Sequence, residues 1–238
     1  MKALLLTLLC IAASCQAAMQ SLYGPGRDRH IPLTFYHPSA DCTALNPCPV
    51  ALLSSGYGVA HDNYSFIAHA LTSTGLMVVA VQHESKGDPA LAVSGNLYQA
   101  RSENWQRGAT TLKFVRHQLS ASMPEYDFTH LLLIGHSNGG DISSWLANHN
   151  PGLVHRVVTL DNRRVPLPRN PNISVLSLRA TDFPADAGVL PTEQEQREFP
   201  ITVTTITQAR HNAMTDAGPE NLKEAIQREI IRFVSARP

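Results

Sequence analysis

Residues 131–140 read Leu-Leu-Leu-Ile-Gly-His-Ser-Asn-Gly-Gly. An apolar run ends in Gly135-His136-Ser137-Asn138-Gly139, the G-x-S-x-G pattern of a nucleophile elbow. The pattern has a mechanical origin. A serine held on a very sharp strand-to-helix turn needs neighbours without bulk two residues to either side. Gly135 and Gly139 meet that need, and the turn lifts the Ser137 hydroxyl above a sheet edge. The helix that follows aims its first backbone N–H groups at the same place, where an oxyanion would develop.

The rest of the chain supplies a frame for such a turn. Short β-branched or Leu-rich runs alternate with helical patterns, which predicts a mostly parallel sheet with helices on both faces. The strand candidates are 31–36, 49–53, 76–81, 131–134, 154–160, 173–178 and 201–206. Helical spacing joins Tyr64, Ile67, Ala68 and Leu71, then Trp105, Ala109, Leu112, Val115 and Leu119. Thr192 and Glu195 form a capping-box pair. A last helix starts near Pro219 and presents Leu222, Ile226, Ile230 and Phe233 on one face. No run is long enough for a lid domain, so the site should be an open cleft.

Lys plus Arg and Asp plus Glu balance at 19 each, which gives no basis for nucleic-acid binding. Residues 1–17 read as a secretory signal peptide: one lysine, a short apolar run, then small residues. The run is too short for a membrane span. The alternative is a lipobox at Ala12-Ala13-Ser14-Cys15, with Cys15 as a lipid anchor. Residues 18–238 then form a single domain, periplasmic or secreted, the alternative being a lipoprotein anchored through Cys15. In an oxidising compartment Cys42 and Cys48 are expected to pair.

A serine nucleophile needs a base within hydrogen-bond reach, and the base needs an acid to fix its tautomer. Where an elbow of this kind is used, the acid and then the histidine follow the serine in the chain. His149 falls on the helix behind the elbow and His155 at the base of a strand. His211 lies between the last strand and the last helix, and is the candidate base. Asp182, just past the 173–178 strand, is the first choice of acid, with Asp161 and then Asp186 as alternatives. The backbone N–H groups of Asn138 and Tyr57 are the candidate oxyanion donors, and Tyr57 would also line the substrate pocket. There is no H-E-x-x-H, P-loop or dinucleotide fingerprint, so no cofactor and no metal is expected.

From about Ile31 to Val234 the order of elements and motifs resembles the α/β-hydrolase superfamily. Within it the resemblance is to compact, lidless members: the dienelactone-hydrolase, platelet-activating-factor-acetylhydrolase and cutinase-like polyesterase group. It implies an α/β-hydrolase fold and a catalytic set of Ser137, Asp182 and His211, with the Gly56-Tyr57 turn supplying an oxyanion N–H. It also implies a small-molecule or polymer ester as substrate, cleaved through an acyl-enzyme. The same machinery serves amides, thioesters or acyl transfer, and a non-catalytic binding protein on the same scaffold is the other class. One departure bears on the substrate. Where polyesterases of this type carry a stacking tryptophan, this chain has Asp161-Asn162-Arg163-Arg164. Arg163 or Arg164 could there face an anionic substrate group; the plainer reading is a solvated basic loop.

Overall fold

The computed structural model describes residues 18–24, 28–85 and 87–236. The leader at 1–17, with Cys15, lies outside the described residues. Eight strands form one sheet: β1 (Ala18–Gly24), β2 (Arg29–Tyr36), β3 (Cys48–Ser54), β4 (Met77–Val81), β5 (Tyr126–His136), β6 (Val154–Leu160), β7 (Ser174–Arg179) and β8 (Ile201–Thr205). Their order is β1-β2-β4-β3-β5-β6-β7-β8. β2 runs antiparallel to β1 and to β4, and every other neighbouring pair is parallel. Among the described residues the α-helices are α1 (Ser65–Thr72), α2 (Leu97–Ser122), α3 (Asn138–His149), α4 (Glu193–Glu198) and α5 (Glu220–Ser235). This is the α/β-hydrolase fold.

The central strands are apolar throughout because both faces are covered. On β5, Leu131 and Leu133 enter one core with Trp105, Leu112 and Val115 of α2 and Ile142 and Leu146 of α3. Leu132 and Ile134 enter the other, with Ile67 and Leu71 of α1 and Leu222, Ile226 and Ile230 of α5. The period of two in the strand thus meets the period near four in each helix. Burial of each such side chain contributes about 1.5–3 kcal/mol, which fixes the sheet rigidly beneath the strand ends.

The expected elements are present, with shifted ends. β5 starts five residues before the apolar run, at Tyr126, and its register slips against both neighbours. β1 has no strand signal in the sequence because it is an edge strand whose residues are mostly exposed. The Thr192–Glu195 capping box forms as expected. Cys42 and Cys48 are joined in a disulfide, their Cα atoms 5.2 Å apart, which ties the loop ahead of β3 to its first residue. Among the described residues no helix is long and apolar enough to cross a membrane.

Candidate active site

Ser137 stands between β5 and α3 with φ 53° and ψ −119°. A positive φ is costly for a residue with a side chain, and the elbow persists because its surroundings leave no alternative. A Cβ at Gly135 would collide with the Gly139 carbonyl, and one at Gly139 with the Ser54 carbonyl. The two glycines are therefore required by close backbone approach, as the motif predicted. The Ser137 N–H donates to the Leu160 carbonyl at 2.8 Å, so the turn is also anchored to β6.

His211 opens a short 3-10 helix (His211–Ala213) between β8 and α5. Its Nε2 lies 3.1 Å from Ser137 Oγ. Its Nδ1 lies 3.1 Å from Asp161 Oδ2. A carboxylate oxygen can only accept, so Nδ1 carries the proton and Nε2 is left to accept from the serine hydroxyl. Asp161 is fully buried at the end of β6, also at positive φ. Its Oδ1 accepts from the Ala180 N–H at 2.8 Å and is 3.5 Å from Arg179 Nε. The carboxylate is thus held by a charge, a backbone donor and the imidazole.

The structure brings Asp161, the alternative acid, to the imidazole rather than the first choice. Asp182 does not touch the imidazole: its Oδ1 accepts from the His211 backbone N–H at 2.8 Å, and its Oδ2 pairs with Arg210 at 3.1 Å. The loop after β7 runs along the His211 loop, with the Thr181 N–H on the Ala209 carbonyl. In that placement Phe183 stacks on the His211 ring, centroids 3.6 Å apart, and Asp182 meets the His211 backbone and the Arg210 side chain. β6 lies between β5 and β7, so the residue that leaves it is the one beneath the ring. Asp186 pairs with Arg163 at 3.3 Å and lies 3.9 Å from Arg164. His149 stacks on Trp145 and His155 packs near His130, both apart from Ser137.

Asn138 borders the cleft and is buried. Its Oδ1 accepts from Trp105 Nε1 at 2.9 Å, and its Nδ2 donates to Asn104 at 2.8 Å and to Glu84 at 3.3 Å. These bonds fix the first turn of α3, whose N–H groups face the site. Burial raises the Glu84 carboxyl above the usual carboxylate range. In the turn after β3, the Gly56 N–H donates to Tyr64 Oη at 3.0 Å. Tyr57 borders the cleft half-exposed.

Two residues to which sequence reasoning assigned no role at the site, His136 and Tyr64, also join it. His136, the last residue of β5, has Nδ1 2.9 Å from Tyr64 Oη and Nε2 3.1 Å from the His211 carbonyl oxygen. Burial, and then the nearby His211, push its imidazole down from 6.5 to about 3. It is neutral in the fold, but takes a proton below pH 6.5 when unfolded. The fold should therefore lose about 1.4 kcal/mol per pH unit to this group as pH falls from 6.5 toward 3. Asp141, raised to about 6 by burial, acts in the opposite sense in part of that window. Urea midpoints measured from pH 7 to 4 should consequently fall less steeply in His136→Gln than in the parent; equal slopes would refute the assignment.

The cleft beside Ser137 is small, about 140 Å³, and includes Tyr57, Leu91, Val93, Arg101, Arg163, Arg164 and Phe183. Asp141, fully buried at the base, accepts through Oδ1 from the N–H groups of Arg163, Arg164 and Val165 at 2.9–3.1 Å. It thereby folds the post-β6 loop over the start of α3. Arg163 lies over the Phe183 ring at 4.8 Å while paired with Asp186. Arg164 is nine-tenths buried, and its Nε has no hydrogen-bond partner among the described residues. Burial, and then Arg164, draw the Arg101 guanidinium below the usual arginine range. Three guanidinium groups thus face two carboxylates, Asp141 and Asp186. Among the described residues no cluster of three or more His, Cys, Asp or Glu side chains is placed to hold a metal ion.

No protein-family model and no curated protein matches the sequence. Solved structures do match the fold. A dienelactone hydrolase-like promiscuous phosphotriesterase from metagenomic libraries aligns over 92% of this chain and 97% of its own, with TM-score 0.70 and 18% identity. A ferulic acid esterase from Streptomyces cinnamoneus aligns over 93% and 90%, with TM-score 0.66 and 17% identity. A lidless α/β serine hydrolase from Xanthomonas campestris aligns over 94% and 97%, with TM-score 0.60 and 18% identity.

Proposed function

We propose that the protein is an exported serine hydrolase that cleaves a carboxylic ester through an acyl-enzyme on Ser137. The observation that carries this reading is the continuous run from Ser137 Oγ through both His211 nitrogens to Asp161, each link 3.1 Å. Ser137 Oγ attacks the ester carbonyl as its proton passes to His211 Nε2. Asp161 stabilises the imidazolium that forms. The N–H groups of Asn138 and Tyr57 receive the oxyanion; the Gly56 N–H is not available, because it already donates to Tyr64. The imidazolium then returns its proton to the leaving alkoxide, and water repeats the sequence on the acyl-enzyme. A ferulic acid esterase and a lidless serine hydrolase of the same fold support this chemistry. The leader at 1–17 and the Cys42–Cys48 bridge support export, either as a free protein or anchored through Cys15.

The arginines narrow the substrate. Their excess of positive charge, and an Arg164 Nε that makes no hydrogen bond and meets Asp186 only at 3.9 Å, favour an ester that carries a carboxylate or similar anion on one side of the scissile bond. Arg163 and Tyr57 then border the same group. Charge-assisted hydrogen bonds of this kind contribute about 1.5–3 kcal/mol, or roughly 10–100-fold. Two measurements test the proposal. A fluorophosphonate probe should leave one covalent adduct, located at Ser137 by mass spectrometry. In kcat/KM, 4-nitrophenyl esters ending in a carboxylate should then exceed neutral esters of equal length about tenfold or more. Arg164→Met should erase that preference while neutral esters are still cleaved. No adduct at Ser137 overturns the mechanism; equal rates for the two ester series overturn only the anion preference.

A further inference from the structure

Two rings lie against His211: Phe183, which is half-buried and an ordinary packing partner, and His136, which is buried. His136 is a polar side chain inside the second core that takes no part in the proposed proton transfers. Its two nitrogens are fully engaged, so it has no lone pair to offer Ser137. The hydrogen-bond directions can be assigned from the acceptors. The His211 carbonyl can only accept, so His136 Nε2 carries the proton. Nδ1 is then an acceptor, and Tyr64 O–H donates to it. Tyr64 Oη in turn accepts the Gly56 N–H. One directed chain therefore runs from the turn after β3, through Tyr64 and His136, to the backbone of the His211 loop.

We infer that Tyr64 and His136 are positioning residues that lock the base to the nucleophile and tie the oxyanion turn to both. The inference rests on Ser137 as nucleophile and His211 as base. His211 is carried by a loop, and a loop residue aims its ring only as well as its backbone is held. Its N–H is held by Asp182, and its carbonyl by the His136 ring and, within the 3-10 turn, by the Met214 N–H at 3.2 Å. His136 directly precedes Ser137 on the rigid central strand, so its ring transmits the position of the nucleophile to the base. The His136 and His211 rings also pack against each other, centroids 4.7 Å apart. Tyr64 is 2% exposed and stands at the start of α1, where its phenol selects the His136 tautomer. Without that hydroxyl, His136 can place its proton on Nδ1 and release the His211 carbonyl. A shift of about 1 Å in a catalytic group can cost on the order of 100-fold.

The test joins kinetics to a tautomer measurement. In the full protein, 15N-edited NMR should show His136 neutral with its proton on Nε2 between pH 5 and 8. Tyr64→Phe should lower kcat about 10–100-fold with KM within about twofold, slow fluorophosphonate labelling of Ser137 in proportion, and give His136 a mixed tautomer. His136→Gln, whose amide can still donate to the His211 carbonyl, should retain most of the rate; His136→Leu should not. A folded Tyr64→Phe with parental kcat, or a wild-type His136 protonated on Nδ1, overturns the inference. If Tyr64→Phe does not fold, the wild-type tautomer and the contrast between Gln and Leu at 136 decide it. Parent protein that fails to label at Ser137 would instead sink the serine-hydrolase reading on which the inference rests.

Discussion

Ser137→Ala and His211→Ala are each expected to lower kcat/KM for ester hydrolysis by about 10⁴-fold or more, and the double variant by little beyond that. The nucleophile and its base act as one unit: without the imidazole the hydroxyl is a weak nucleophile, and without the hydroxyl the imidazole has nothing to activate. Ser137 is held by its anchored turn and His211 by bonds to its backbone, so neither substitution should unfold the sheet. Losses that multiply in the double variant would show two independent routes. Near-parental turnover by folded Ser137→Ala would reject the mechanism.

Asp161→Asn is expected to lower kcat by about 10³–10⁴-fold with KM nearly unchanged, while Asp182→Asn costs no more than about tenfold. An asparagine at 161 either presents an amide donor to Nδ1 or leaves the imidazolium without its counter-charge. Asp161 is fully buried beside Arg179, so the same change also leaves a buried guanidinium without its carboxylate and should destabilise the fold by about 3–5 kcal/mol. Asp182 is more exposed and holds only the His211 amide and Arg210, so its loss loosens the loop without altering the tautomer of the base. Rates compared at a temperature where both variants remain folded separate the two effects. If Asp182→Asn proves the more damaging of the pair, the acid is supplied by the loop after β7 and the resting geometry is not the catalytic one.

Much of this arrangement was legible beforehand, for local reasons. The elbow is encoded by two glycines that cannot carry a Cβ, and they sit two residues either side of a serine whose φ is positive. The alternation of buried strands with amphipathic helices is encoded in periods of two and near four, which both cores confirm. His211 stands out because it falls between the last strand and the last helix, at the strand ends where the elbow also lies. The pairing of Cys42 with Cys48 follows from their closeness in the chain.

What the tertiary structure alone decided is which side chains meet across different loops. Asp161 and Asp182 each follow a strand, and nothing local separates them. Their fates depend on β6 lying beside β5, and on Phe183 rather than Asp182 covering the imidazole. Tyr64 and His136 are 72 positions apart, and neither carries a periodic or motif signal for the other. Arg101 and Arg164 share a cleft only because α2 and the post-β6 loop converge above Ser137. Periodicity and turn chemistry act between near neighbours, so the sequence by itself determined all the strands but the edge strand β1, the elbow, and the loop that carries His211. Contacts between loops depend on how those elements pack, so the carboxylate beneath His211, the hydrogen bonds behind it and the charge of the cleft emerged only in three dimensions.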